Sequence, residues 1–246
     1  MTRAILLAAG QGSRLRPHTN DKPKCMVPYK GRPLIEHQID ALRRNGVYDI
    51  HLIGGYLYES LAPLGLPIYV NTDYASTNMV STLFSASELL QGDVLICYTD
   101  IVYQDHLIDS LLKSDKEISV LYDLQWREQW EARMSDPLSD AETFRISPDK
   151  RILELGQPPK SLEEIEGQYI GLIKLSAEGS ERICRFDENL DPNSLYEERT
   201  FQQMYMTTLL QLMINEGHHA FGIPVRGGWL EFDQPSDLTL DLELPN

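Results

Sequence analysis

The stretch at 7–24 reads LAAGQGSRLRPHTNDKPK. Gly10 and Gly12 come straight after an apolar run. Glycines there let the backbone turn sharply and present N–H groups to phosphate oxygens. Ser13 adds a hydroxyl donor, and Arg14 a planar fork that can grip two phosphate oxygens. Lys24 adds a compact positive charge, with Pro23 restricting its approach. The segment is neither of the common phosphate loops. GxxxxGK[ST] is absent, and position 15 is Leu where a dinucleotide fingerprint needs a third glycine. A glycine pair after a strand is by itself only a turn. The basic and proline residues at these spacings make it a triphosphate cradle.

Two acids far apart in the chain complete the chemistry. Asp100 closes the run DVLICYTD, and ligands of an open α/β sheet gather at the carboxyl ends of its strands. A carboxylate beside a triphosphate is repelled unless a cation lies between them, and Mg²⁺ suits one or two carboxylates plus phosphate oxygens. Asp233, after WLEF, can return to the same ion, and Glu231 points to the same strand face as a further metal or substrate ligand. Plainer readings exist: Asp100 as a helix cap, Asp233 as part of the turn with Gln234, Pro235 and Ser236. The six histidines form no ligand pattern apart from the adjacent pair His218 and His219, whose rings point apart in most backbones.

The elements that must position these residues alternate along the first half. Residues 3–8 read as a buried strand, and 10–31 as a loop. Residues 33–44 read as a helix opened by Pro33 and ended by Asn45 and Gly46. Strands at 49–53, 67–70 and 93–98, a helix at 78–90, another at 106–112 and a strand at 118–122 follow. The expected fold is α/β: a mainly parallel mixed sheet with helices on both faces. Residues 143–175 read as short strands with turns, a small antiparallel extension near the second-substrate site. A helix at 201–215 and strands at 220–225 and 229–232 complete the pattern. The acidic tail from Asp237 either caps the fold or is a solvated end.

The 246 residues suit one domain, 1–246. With 37 acidic against 22 Lys and Arg residues, the net charge is −15, which argues against a nucleic-acid partner. Three scattered cysteines without a CxxC pair argue against a disulfide framework or zinc site. No apolar run approaches the roughly 18 residues a membrane helix needs. The apolar start runs into GQGSR instead of a cleavage site, so a cytoplasmic protein without a membrane partner is expected. Self-association is left open.

The stretch at 7–24 resembles the signature LxxGxGxRLxPxTxxxPK of the sugar-nucleotide-type nucleotidyltransferases, at every fixed position. The likeness continues through PLIEHQIDALRRNGVYDI to the late WLEFDQPSDL. It implies a single glycosyltransferase-A-like (Rossmann-like) domain that transfers a nucleotidyl group and releases pyrophosphate. It further implies that Gly10, Gly12, Ser13 and Arg14 hold the triphosphate, that Lys24 stabilises the transferring phosphoryl group, and that Leu7, Ala8 and Ala9 lie near the base. Asp100 and Asp233 match the two metal-binding aspartates. Where sugar-handling members carry a further glycine segment, this chain has NTDYASTNMVSTLFSA. That departure is similar to the phosphocholine and phosphonate cytidylyltransferase branch, as are GGWLEFDQPSDL and GQYIGLIKLS. The implied donor is CTP, with Asn78 and Ser81 contacting cytosine or ribose, or else capping and facing a helix. The acceptor is a small phospho- or phosphono-compound. Tyr122, Trp126, Trp130 and Trp229 are available to a quaternary ammonium, or else close the core. Residues 136–145, including Arg145, are candidates for the acceptor pocket, with Lys160 and Arg226 as further cations for an anionic phosphonate. Thr207 and Thr208 stand where that branch often has an acid. The rival readings are a sugar-1-phosphate enzyme using UTP, dTTP or GTP, and a non-catalytic nucleotide-binding module.

Overall fold

A computed structural model describes residues 2–240 and 244. Its frame is a seven-stranded sheet. The strands are β1 Arg3–Ala8, β2 Asp49–Gly54, β3 Ile68–Val70, β4 Val94–Tyr98, β5 Ile118–Asp123, β6 Gln168–Leu175 and β7 Phe221–Val225. Their order across the sheet is β3-β2-β1-β4-β6-β5-β7. β1 runs parallel to β2 and β4, β2 to β3, and β7 to β5, while β6 is antiparallel to both its neighbours.

β1 shows why these residues make a central strand. Ala4, Leu6 and Ala8 enter one apolar cluster, and Ile5 and Leu7 enter the other. The side-chain period of two thus buries both faces, as a parallel strand between helical layers requires. Helix α1, Leu34–Arg44, packs Ile35, Ile39 and Leu42 into the first cluster. Helix α6, Met206–Asn215, packs Leu209, Leu210 and Met213 into the second. Helices α2 Met79–Phe84, α3 Asp105–Leu112, α4 Trp126–Arg133 and α5 Ala177–Asn189 complete the mixed α/β layers.

Several expectations change. QYIGLIKL is not part of a peripheral extension. Its side chains are almost all buried, and it fills the middle of the main sheet. Only Phe144–Ile146 and Ile152–Leu155 form a separate hairpin. The helix expected at 78–90 ends at Phe84, because Ala86 leaves helical geometry at φ −135, and a short turn at Ser87–Leu89 follows. The helix expected at 201–215 is a turn, Phe201–Gln203, followed by α6. Helix α5 was not anticipated, and its buried apolar stripe is thin, chiefly Ile183 and Phe186. Of the acidic tail, Asp237 is buried within the turn Pro235–Thr239. Residues 241–243 lie outside the described residues.

The sheet order reverses beside β1: the chain winds outward through β2 and β3, then crosses back to place β4 on the other flank. The carboxyl ends of β1 and β4 flank that switch point, where open α/β sheets form their binding crevices. The loop after β1 and the acid after β4 therefore meet.

Candidate active site

The loop after β1 is folded by its own backbone. Gly10 C=O accepts the Lys24 N–H at 3.2 Å, and Gly12 C=O accepts the Leu15 N–H at 2.9 Å and the Thr19 hydroxyl at 2.8 Å. Gly12 has φ +63, and a Cβ there would lie 2.9 Å from the Lys24 Cβ, so the close turn admits no side chain. The N–H groups from Gln11 to Arg14 find no carbonyl partner among the described residues. Grouped backbone N–H donors of this kind can meet an anion. Leu7, Gly10, Gly12, Ser13, Arg14 and Lys24 line one end of the cleft. Ala8 and Ala9 are buried behind them, and the Thr99 hydroxyl donates to the Leu7 carbonyl at 2.8 Å.

Asp233 reaches Asp100 by strand register. Ile101–Tyr103 pairs with Trp229–Glu231 as a two-stranded antiparallel ribbon, with Glu231 opposite Ile101. The Phe232 N–H then donates to the Asp100 carbonyl at 2.9 Å, and Asp233 emerges beside Asp100. The ribbon is anchored at Asp123, the last residue of β5. Its carboxylate accepts the N–H groups of Gln125 and Gly227 at 2.8 Å each and Trp229 Nε1–H at 2.9 Å.

Lys24 Nζ lies 2.8 Å from Asp100 Oδ2 and 2.8 Å from Asp233 Oδ1. The other Asp233 oxygen meets Arg14 Nη2 at 2.7 Å, and the Arg14 side chain is 65% exposed. Burial alone would lower the Lys24 ammonium, but Asp100, Asp233 and Glu231 outweigh it and hold it above the ordinary lysine value. Two carboxylates thus already converge on one cation. An ammonium stands there, and the same oxygens fit a divalent ion whose remaining ligands are phosphate oxygens and water.

Glu231, expected as a further metal or substrate ligand, lines the pocket with Asp100 and Asp233 and is engaged by other partners. Its carboxylate is taken by Arg133 Nη1, and its N–H donates to Gln129 Oε1 at 2.7 Å. No group of three His, Cys, Asp or Glu residues among those described is arranged to hold a metal ion. Burial, against the pull of Arg133, pushes the Glu231 carboxyl up to about 7, with Asp100 and Asp233 adding to the rise.

Asn78 and Ser81 are not among the residues that line the cleft. Asn78 Oδ1 caps α2 at the Met79 N–H, 2.9 Å away, and Ser81 Oγ donates to the Gln202 carbonyl at 3.0 Å. Met79, between them, is the α2 residue that lines the cleft. The aromatic candidates divide too. Trp130 and Trp229 line the adjoining pocket, whereas Tyr122 stacks on Phe144 in the core with ring centroids 4.7 Å apart. Trp126 is buried and packs edge-on against Trp130. Lys160, Arg226 and Arg145 are exposed and do not line that pocket.

The pocket also contains residues not singled out beforehand: Tyr98, Tyr169, Tyr205 and, from within 136–145, Asp140 and Glu142. Burial, reinforced by Asp140, Glu231 and Glu197, pushes the Glu142 carboxyl up to about 7. Tyr98 sits two residues before Asp100 on the end of β4, a spacing that could have marked it. Thr207 lines the pocket, and the Thr208 hydroxyl donates to Glu197, so an acid stands beside this position although it comes from elsewhere in the chain.

The chain is similar to known proteins over nearly its whole length. The MobA-like NTP transferase domain family matches residues 4–148. The chain is 38% identical to a CTP:phosphoglutamine cytidylyltransferase of Campylobacter jejuni, over 98% of this chain and 99% of that protein. It is 27% identical to a choline-phosphate cytidylyltransferase of Streptococcus pneumoniae, over 79% of this chain and 92% of that protein. The solved CTP:phosphocholine cytidylyltransferase from Streptococcus pneumoniae shares the fold, with a TM-score of 0.72 at 22% identity over 97% of this chain and 96% of that one.

Proposed function

We infer, from the premise that this chain belongs to the MobA-like NTP transferase family and to its cytidylyltransferase branch, that it transfers CMP from CTP to the phosphate of a small acceptor. The observation that carries the reading is Lys24 seated between Asp100 and Asp233 at the end of the Gly10–Arg14 turn. A binding-only module has no need of that pairing. Similarity over the whole length favours an acceptor of the phosphoglutamine kind over phosphocholine.

An oxygen of the acceptor phosphate, already ionised near neutral pH, attacks the α-phosphorus. A new P–O bond forms as the bond to the β-phosphate oxygen breaks, and pyrophosphate leaves with the electron pair. No general base is needed, because the attacking oxygen already carries its charge. The N–H groups of 11–14 and Arg14 orient the triphosphate, and Lys24 neutralises charge on the transferring group. Mg²⁺ held by Asp100 and Asp233 would supply further charge neutralisation there. The tyrosines and Glu142 bind and orient the acceptor.

Pyrophosphate release with CTP and Mg²⁺ tests the reading against phosphoglutamine, phosphocholine, phosphoethanolamine, 2-aminoethylphosphonate and sugar-1-phosphates. Turnover is expected with phosphoglutamine, and chelation should abolish it. Silence across the panel with CTP sinks the reading. Turnover of sugar-1-phosphates with UTP or dTTP replaces it with the sugar-nucleotide alternative.

A further inference from the structure

Beneath the carboxylate pair lies an arginine that the transfer reaction does not itself use. Arg133 ends α4 with its side chain 1% exposed. Its Nη1 pairs with Glu231, and its Nε lies 3.3 Å from Asp237 Oδ1, close enough for charge pairing without hydrogen-bond alignment. The opposite oxygen of Asp237 accepts the backbone N–H of Asp233 at 2.7 Å and that of Gln234 at 2.8 Å. The guanidinium also lies 5.4 Å from the ring centre of Trp130, which walls the pocket. Burying such a group is costly unless its partners are held in place, and a cluster that merely tied the surface together would not be sited there.

We propose that Arg133 and Asp237 are positioning residues for the cation site. Asp237 fixes the peptide from which Asp233 projects. Arg133 holds Glu231 away, so that two carboxylates and not three face the divalent ion. The proposal rests on the reading above, in which Asp100 and Asp233 hold that ion. Its chemical sense follows from ion coordination. A third carboxylate would add negative charge beside the triphosphate and would tighten binding of the ion without nucleotide. With Glu231 withheld, the ion arrives with the triphosphate.

The test is Mn²⁺ binding to the intact chain, read from the free-ion paramagnetic resonance signal, with and without a CTP analogue carrying a methylene α,β-bridge. In wild type the analogue should strengthen Mn²⁺ binding. Arg133→Met should bind Mn²⁺ more tightly without nucleotide and lose most of the analogue's effect. Arg133→Met/Glu231→Gln should return towards wild type. Should Arg133→Met fail to fold, two variants that keep the arginine decide the matter. Asp237→Ala should weaken Mn²⁺ binding by about 10- to 100-fold, as loss of a supporting partner does, and Asp237→Asn, which keeps an acceptor oxygen, should recover most of it. Glu231→Gln should leave Mn²⁺ affinity near wild type. A large loss with Glu231→Gln, or none with Asp237→Ala, overturns the proposal. If Asp100→Asn and Asp233→Asn both leave Mn²⁺ binding intact, it is the underlying reading of the cation pair that fails.

Discussion

At the scale of single residues, Lys24 carries two duties in one ammonium. It bridges Asp100 and Asp233, and in the proposed reaction it neutralises charge on the transferring group. Lys24→Met should lower kcat by about 10²- to 10³-fold in pyrophosphate release, the cost of one charge-stabilising donor. It should also leave Asp100 without its cation and Asp233 with the exposed Arg14 alone, which costs up to about 3–5 kcal/mol. Its melting temperature should therefore drop in chelator and recover with Mg²⁺. Unchanged kcat refutes the first expectation, and a metal-independent melting temperature the second. Glu142 yields a pH signature. Burial and the neighbouring acids raise it from 4.5 to about 7, so the folded state keeps a proton that the unfolded state loses in between. The folded state then binds more protons than the unfolded one across that window, so this residue's share of stability falls as pH rises from about 4.5 to 7 and is flat beyond. Glu142→Gln should remove that decline from the pH dependence of thermal unfolding. A decline that persists unchanged assigns it to other groups.

At the scale of elements, the ribbon of Ile101–Tyr103 and Trp229–Glu231 depends on the buried Asp123 carboxylate, which serves three N–H groups on two separate segments. Asp123→Ala should cost about 3 kcal/mol in urea unfolding, since each buried donor left unpaired costs roughly 1–3 kcal/mol. It should also lower kcat/KM at temperatures where the variant is folded, because Asp233 is aimed by that ribbon. A stable variant with normal kcat/KM would show that Asp233 is placed by other means. This dependence on register also explains what was readable in the chain. The turn at Gly10–Lys24 was legible because its donors are neighbours in sequence. The parallel strands β1, β2 and β4 were legible because their apolar runs are short and bounded by turn residues. The place of β6 was not, since a buried run such as QYIGLIKL has the same pattern whichever sheet it enters. Nor was the partner of Ser81, the Gln202 carbonyl, which depends on the Phe201–Gln203 turn arriving beside α2. Asp237 and Arg133 were missed for the same reason, as their partners meet only once the ribbon closes.

At the scale of the whole molecule, a net charge of −15 surrounds a cleft that must admit a polyanion. Arg14 and Lys24, which line the cleft, oppose that field locally. Raising ionic strength from about 0.01 to 0.15 M shortens the screening length from roughly 30 to 8 Å. CTP association, followed by stopped flow, should therefore quicken with added salt before it slows, and a rate that falls from the first addition would mean the local cations dominate. The ribbon has a further consequence for the order in which the protein is made. The phosphate turn and Asp100 lie in the first half of the chain, whereas Asp233 follows the ribbon strand Trp229–Glu231. A nascent chain can close its nucleotide cradle before that strand is made, yet it cannot assemble the acidic pair until the strand docks. Catalytic competence should thus appear in one step, with that docking, and not accumulate as the sheet grows.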